Sequence, residues 1–155
     1  EPLDGPLTTI APGLIVFVVA LLLLVATVRE AGVLDELGDA LQRLDRQPTF
    51  VVIAGAAIIA TLLANLMNNW PAALLLSATI ATTTGDPGRL IAGSLIGCTI
   101  GANLTMVGSL STVFWLTLAR QHGAVYTPGL YIRRAALPTV AALAAACVTA
   151  TLLLA

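Results

Sequence analysis

The chain has 155 residues, 58% of them hydrophobic and only 10% charged, with a mean hydropathy of +0.97 and a net charge of −1. A soluble domain carries about 25% charged residues, and a chain this short cannot hide so much apolar surface in a core of its own. Composition therefore argues against a soluble globular fold and for an all-α polytopic membrane protein. The basic side chains are all Arg, with no Lys, and the near-zero net charge offers no field for nucleic acid.

The first residues, with Pro2, Pro6 and Pro12 and the acids Glu1 and Asp4, lack the positive start of a signal peptide. They read as a linker, and predict that the chain is part of a larger protein, or a processed or separately encoded half. Residues 10–28 form a nearly uninterrupted apolar run of roughly 19 residues, enough for one membrane crossing. Residues 32–46 change character. Val33, Leu34, Leu37, Leu41 and Leu44 share one helical face, while Asp35, Asp39, Gln42, Arg43 and Arg46 spread over the rest. This predicts an amphipathic helix lying in the interface, as a hinge arm or a plain connector.

Residues 49–84 are predicted to form a helical hairpin. Its first arm, Phe50 to Leu66, carries small residues such as Ala54, Gly55, Ala56, Ala57 and Ala60 that allow close packing. Met67-Asn68-Asn69-Trp70-Pro71 interrupts it, with Pro71 suited to the first turn of a new helix. The return arm, Ala72 to Thr83, would be roughly 18 Å long, short of a ~30 Å hydrocarbon core, so a re-entrant hairpin fits better than two full crossings. Thr84 to Gly88 is a turn by composition, in which Asp86 is placed to cap the helix starting at Pro87.

Residues 87–121 are predicted to form a broken transmembrane helix. The apolar segment between Arg89 and Arg120, about 30 residues long, would run roughly 46 Å if straight, which overshoots the bilayer. Gly101 to Ser109, rich in Gly, Asn, Thr and Ser, is where it is expected to unwind. The facing half-helices, Pro87 to Ile100 and Ser109 to Gln121, would present unpaired carbonyls and amides to the gap. A last crossing is expected over residues 130–154, its apolar part from Ala135, with Tyr126 and Tyr131 at the interfacial belt.

Two breaks in apolar helices at membrane depth, each beside Asn and Ser or Thr, are what a transporter's binding site looks like in sequence. Each residue also has a plainer structural role open to it: Asn68 and Asn69 as loop caps, Asn103, Thr105 and Ser109 as partners for freed backbone groups, Asp86 as a helix cap and His122 as a solvated loop residue. Cys98 and Cys147 lie in apolar context without disulfide or metal spacing, so no disulfide, metal or other cofactor is expected. With no catalytic acid–base pair in view, an enzyme is not expected either.

Asn68-Asn69-Trp70-Pro71, followed some 25 residues later by Ile96-Gly97-Cys98-Thr99-Ile100-Gly101-Ala102-Asn103-Leu104-Thr105-Met106-Val107-Gly108-Ser109-Leu110-Ser111-Thr112-Val113-Phe114-Trp115-Leu116, resembles the C-terminal half of bacterial arsenite permeases, members of the ion transporter superfamily. The resemblance covers nearly the whole chain. It implies a transporter of two inverted repeats, each with a re-entrant hairpin and a discontinuous transmembrane helix, of which this chain is one repeat. Substrate would lie between hairpin tip and helix break, at Asn68, Asn69, Pro71, Asn103, Thr105, Gly108 and Ser109. The implied setting is the cell inner membrane, multi-pass. The implied partners are membrane lipid, the N-terminal half of the transporter, a second copy in a homodimer and, for some members, a cytoplasmic ATPase. The chain departs from the family pattern at Thr99, where Asp is common after the cysteine, and at Ala102 and Met106, where Pro is common. The first departure removes a candidate proton-coupling acid.

Arsenous acid is uncharged in neutral water, and a site of amides, hydroxyls and backbone dipoles suits a neutral polyol-like solute. Half-helix amides with Ser, Thr and Asn also hold anions, so a dicarboxylate or inorganic anion stays open as substrate. So does a non-transporting half that needs an N-terminal partner. Arg29, Arg43, Arg46 and Arg89 fall on the side of the amphipathic helix, beside several acids, whereas Arg120, Arg133 and Arg134 fall on the other side with none. The compact acid-free cluster points to that second side as cytoplasmic.

Overall fold

The computed structural model describes residues 16, 19, 20, 23, 26–28, 30–124 and 126–155. The first predicted crossing, residues 10–28, therefore lies mostly outside the described residues. The described elements are helical, with no strand among them: α1 (Val33–Asp45), α2 (Thr49–Met67), α3 (Asn69–Ile80), α4 (Pro87–Thr99), a 3-10 turn (Gly101–Leu104), α5 (Leu110–Gln121) and α6 (Pro128–Leu154).

The amphipathic stretch forms α1, with Asp35 and Glu36 in its first turn and Arg43 in its last, the signs its dipole favours. Its apolar stripe docks on protein. Leu41 is fully buried, and Leu37 and Leu44 pack on the main core. The C-terminal end of α1 is tied to the start of α4: Arg89 Nη2 donates to Asp45 Oδ1 at 3.1 Å and to Asp45 O at 3.0 Å. Both side chains are largely shielded, so the pair is worth on the order of 1 kcal/mol. Arg89→Ala should free the end of α1 and speed proteolysis between α1 and α2, with little change in global melting. Unchanged cleavage would show that the leucine stripe alone holds the helix.

The predicted hairpin is α2 and α3. At ~1.5 Å per residue, α2 is roughly 28 Å long and α3 roughly 18 Å. The interruption is narrower than the sequence suggests: only Asn68 leaves the helical register, at φ 78° and ψ 154°. Asp86 caps α4 as expected, accepting from Gly88 N at 3.0 Å, with Pro87 in the first turn.

Packing of α4 on α2 organises the rest. Gly93 sits against Ile53 O and Ala56, Gly97 against Ala57 O and Ala60, and Gly101 against Thr61. The contacts rise together along both helices, so α2 and α4 run parallel with a constant offset. Three glycines at four-residue spacing form a flat ridge that lets two backbones touch, the small-residue packing that membrane helices use in place of a hydrophobic drive. The main core lies under α1, between α2, α3 and α4, and includes Ala60, Ala64, Leu76, Leu90 and Ala102. On another face of α2, α6 packs through Cys147 against Ile53 and Ala57.

Helix α6 begins at Pro128, ahead of the expected start, because Thr127 Oγ1 accepts from Leu130 N at 3.3 Å and Pro128 occupies the first turn. It continues through Pro138 to Leu154, carrying Arg133 and Arg134 on its early turns. By length and composition, α2 and α6 can each cross a membrane, with mean hydropathies of 2.4 and 2.1. Large apolar side chains such as Leu62, Leu66, Phe114 and Leu137 face outward, as lipid or further protein requires.

Candidate functional site: hairpin tip and helix break

The tip of the hairpin and the break in the next helix meet. Asn69 N donates to Gly108 O at 2.9 Å, and Asn68 Nδ2 donates to Val107 O at 3.1 Å. Asn68 holds a backbone conformation close to one that only glycine adopts freely, a strain of about 1–3 kcal/mol. Its side chain partly offsets this, since Oδ1 accepts from Trp70 N at 3.4 Å while Nδ2 reaches the break. Pro71 is buried in the first turn of α3, where it forfeits no helical bond. The Asn-Asn-x-Pro sequence thus makes a tight reversal whose polar groups point at the opposing chain.

The break replaces α-helix by a 3-10 turn and five further residues before α5. Gly108 is buried there, and a Cβ on it would run into Ala102 O and lie 2.7 Å from Asn65 Oδ1. Only glycine lets the chain fold back this closely. Ser109 is buried and stands at the N-cap of α5, yet its side chain makes no capping bond, so the first amides of α5 have no side-chain cap.

Of the residues expected at the site, Asn68, Asn69, Thr105 and Gly108 are joined by bonds or close packing across tip and break, directly or through Asn65, and Ser109 follows Gly108 in the chain. Asn69 Oδ1 and Thr105 Oγ1 are both buried without a hydrogen-bond partner among the described residues. Thr61 Oγ1, beside Gly101, and Ser94 Oγ on α4 are likewise without a partner among the described residues; an orphaned buried polar atom costs about 1–3 kcal/mol. Asn103 belongs to a separate network. Its Nδ2 donates to Thr99 O at 3.0 Å and Ile100 O at 3.1 Å, closing the end of α4, and its Oδ1 accepts from Thr112 Oγ1 at 3.3 Å. The Tyr131 hydroxyl donates to Asn103 O at 3.2 Å. Trp115 and Tyr126 pack with ring centroids 5.3 Å apart.

Sequence reasoning missed Asn65. Its Nδ2 donates to Thr61 O and to Gly101 O, each at 2.8 Å, and its Oδ1 accepts from Thr105 N at 3.0 Å. An Asn one turn before the tip, inside an otherwise apolar helix, was the available signal. The glycine ridge was also missed, although its spacing of four was legible. No charged side chain lies in the tip (residues 67–71) or the break (residues 101–109).

Comparison with known proteins places the chain in a family. The family profile described as arsenical pump membrane protein matches residues 7–154. An arsenical pump membrane protein of Escherichia coli is 32% identical over 123 residues, covering 77% of this chain and 29% of that protein. One from Yersinia enterocolitica is 28% identical over 130 residues, covering 82% of this chain and 30% of that protein. A further one, from Escherichia coli strain K12, is 26% identical over the same length and shares. The chain thus spans about 30% of the length of these relatives. No solved structure matches it. A match running from residue 7 to residue 154, together with the membrane-type helices and the paired breaks, places the chain in one group: it belongs to the arsenical pump membrane protein family.

Proposed function

We propose that this chain is the substrate-binding portion of one repeat of an arsenical pump, carrying arsenite out of the cell as its neutral hydroxy acid. The observation that carries the reading is the pair of unpartnered oxygens, Asn69 Oδ1 and Thr105 Oγ1, buried where tip and break are bonded together. An amide oxygen accepts and a hydroxyl both donates and accepts, so the two suit a small solute bearing several O–H groups. The uncharged lining fits a neutral solute, which brings no charge to desolvate. The relatives' shared description as arsenical pump membrane proteins supports the substrate class.

In this reading α2 and α3 form a re-entrant hairpin, and α4 and α5 are the halves of one discontinuous crossing in a multi-pass inner-membrane protein. The rest of the transporter supplies an inverted repeat that completes the site, and the protein works as a homodimer, with a cytoplasmic ATPase as a further partner. A second reading rests on Ser109 and the uncapped start of α5: a helix N-terminus with free amides also favours an oxyanion or dicarboxylate.

The test is uptake of arsenite against succinate into everted vesicles bearing the complete transporter, with and without a pH gradient. Arsenite uptake that falls at least tenfold in Asn69→Ala and in Ser109→Ala, with normal membrane insertion, is the expected result. Unchanged uptake in both variants removes the site from tip and break. Succinate uptake without arsenite uptake selects the second reading. The chain expressed alone is expected to give no flux, because the site is shared.

A further inference from the structure

We propose that Asn65 is a positioning residue that fixes the width of the substrate site by fastening the break to α2; this rests on the reading of tip and break as that site. Every hydrogen-bonding group that the side chain uses is committed. Both amide hydrogens go to carbonyls, one on its own helix at Thr61 O and one across the gap at Gly101 O. The amide oxygen takes the backbone N–H of Thr105. Rotating the amide by half a turn would set an NH2 against an N–H and an oxygen against two carbonyls, so its orientation is determined.

The geometry makes this one side chain a strut. Gly101 and Thr105 lie at the two edges of the 3-10 turn, and Asn65 holds both. The same Oδ1 is what a Cβ on Gly108 would meet at 2.7 Å, so the amide also fills the space where the chain folds back toward the tip. The unpartnered Thr105 Oγ1 is carried by the backbone that Asn65 anchors, while the unpartnered Asn69 Oδ1 sits one turn further along the α2–α3 hairpin. The spacing between the two oxygens is thus set through Asn65, which need not touch the substrate.

Asn65→Leu keeps the branched heavy-atom skeleton and suits an apolar helix but removes all three bonds. Asn65→Asp keeps the acceptor for Thr105 N and sets an oxygen against the two carbonyls. In the full-length transporter, Asn65→Leu should raise KM for arsenite about tenfold, or about 1.4 kcal/mol, with the maximal rate within about twofold of wild type. Asn65→Asp should raise KM at least as far, because it trades two donated bonds for repulsion. Hydrogen exchange of the amides over residues 101–109, measured without substrate, should quicken at least tenfold in Asn65→Leu. A lowered melting temperature with KM unchanged would assign Asn65 to the fold and overturn the inference, as would failure of both variants to fold. Wild-type protein that moves no arsenite would overturn the functional reading instead, and the exchange measurement would still report on Asn65.

Discussion

Gly97→Leu is expected to separate α2 from α4 and to cost more stability than any other single change considered. A Cβ at this position would run into Ala57 O and lie 2.5 Å from Ala60 Cβ and 2.9 Å from Thr61 N. Two of those three neighbours are backbone atoms of a helix that cannot retreat without carrying its own packing along. Overpacking a well-filled core costs about 1–3 kcal/mol even where side chains give way; here the backbone must move, so about 3 kcal/mol is the lower bound. For a chain of this size that corresponds to a melting temperature lower by roughly 6–12 °C. Even Gly97→Ala should show a part of the loss, because its methyl is the atom that collides. Gly129→Ala is the control, since nothing lies within 4 Å of its added Cβ. A melting curve for Gly97→Leu that overlays wild type would mean that the ridge contact does not exist.

Gly108→Ala is expected to abolish transport while leaving the protein inserted and folded. Its carbonyl accepts from Asn69 N, and its α-carbon faces Ala102 O and Asn65 Oδ1. The new methyl would push the break off both neighbours, opening the tip contact and tilting Asn65 away from Thr105. The collision is again with backbone, at Ala102 O, but residues 105–109 are not helical and can shift without carrying a helix along, so the energetic cost is smaller than at Gly97 and the functional cost larger. Uptake should drop at least tenfold, with a melting temperature within a few degrees of wild type. Retained uptake would show that Asn69 and Gly108 need not stay in contact for the protein to work.

Much of this was legible because membrane sequence is nearly silent and the exceptions stand out. Asn68, Asn69 and Pro71 in one apolar run, and Gly101 to Ser109 in another, announce irregular backbone since lipid tolerates none unless protein or water supports it. Their meeting was readable as an expectation from family resemblance, and the bonds from Asn69 to Gly108 and from Asn68 to Val107 are what it looks like in atoms. Asn65 was illegible for the opposite reason. A single Asn within a helix carries no periodicity and no break, and its role exists only because a segment 40 positions later passes beside it. Asn103 shows a different limit: its residue type suits substrate or backbone equally, and only geometry reveals an amide committed to the end of α4. The earlier start of α6 turned on one cap at Thr127, the kind of local chemistry that hydropathy smooths over.

The parallel register of α2 and α4 has a consequence for how this chain tolerates changes in length. Ile53 and Gly93, Ala57 and Gly97, Thr61 and Gly101, and Asn65 and Thr105 are each 40 positions apart. One ruler therefore measures both the packing of the helices and the fastening of the break to α2. A residue inserted within α4 would rotate everything beyond it by about 100°, misaligning the ridge and the break in a single event. A residue inserted between α3 and α4, in the turn at 81–86, would be absorbed before the ruler begins to count.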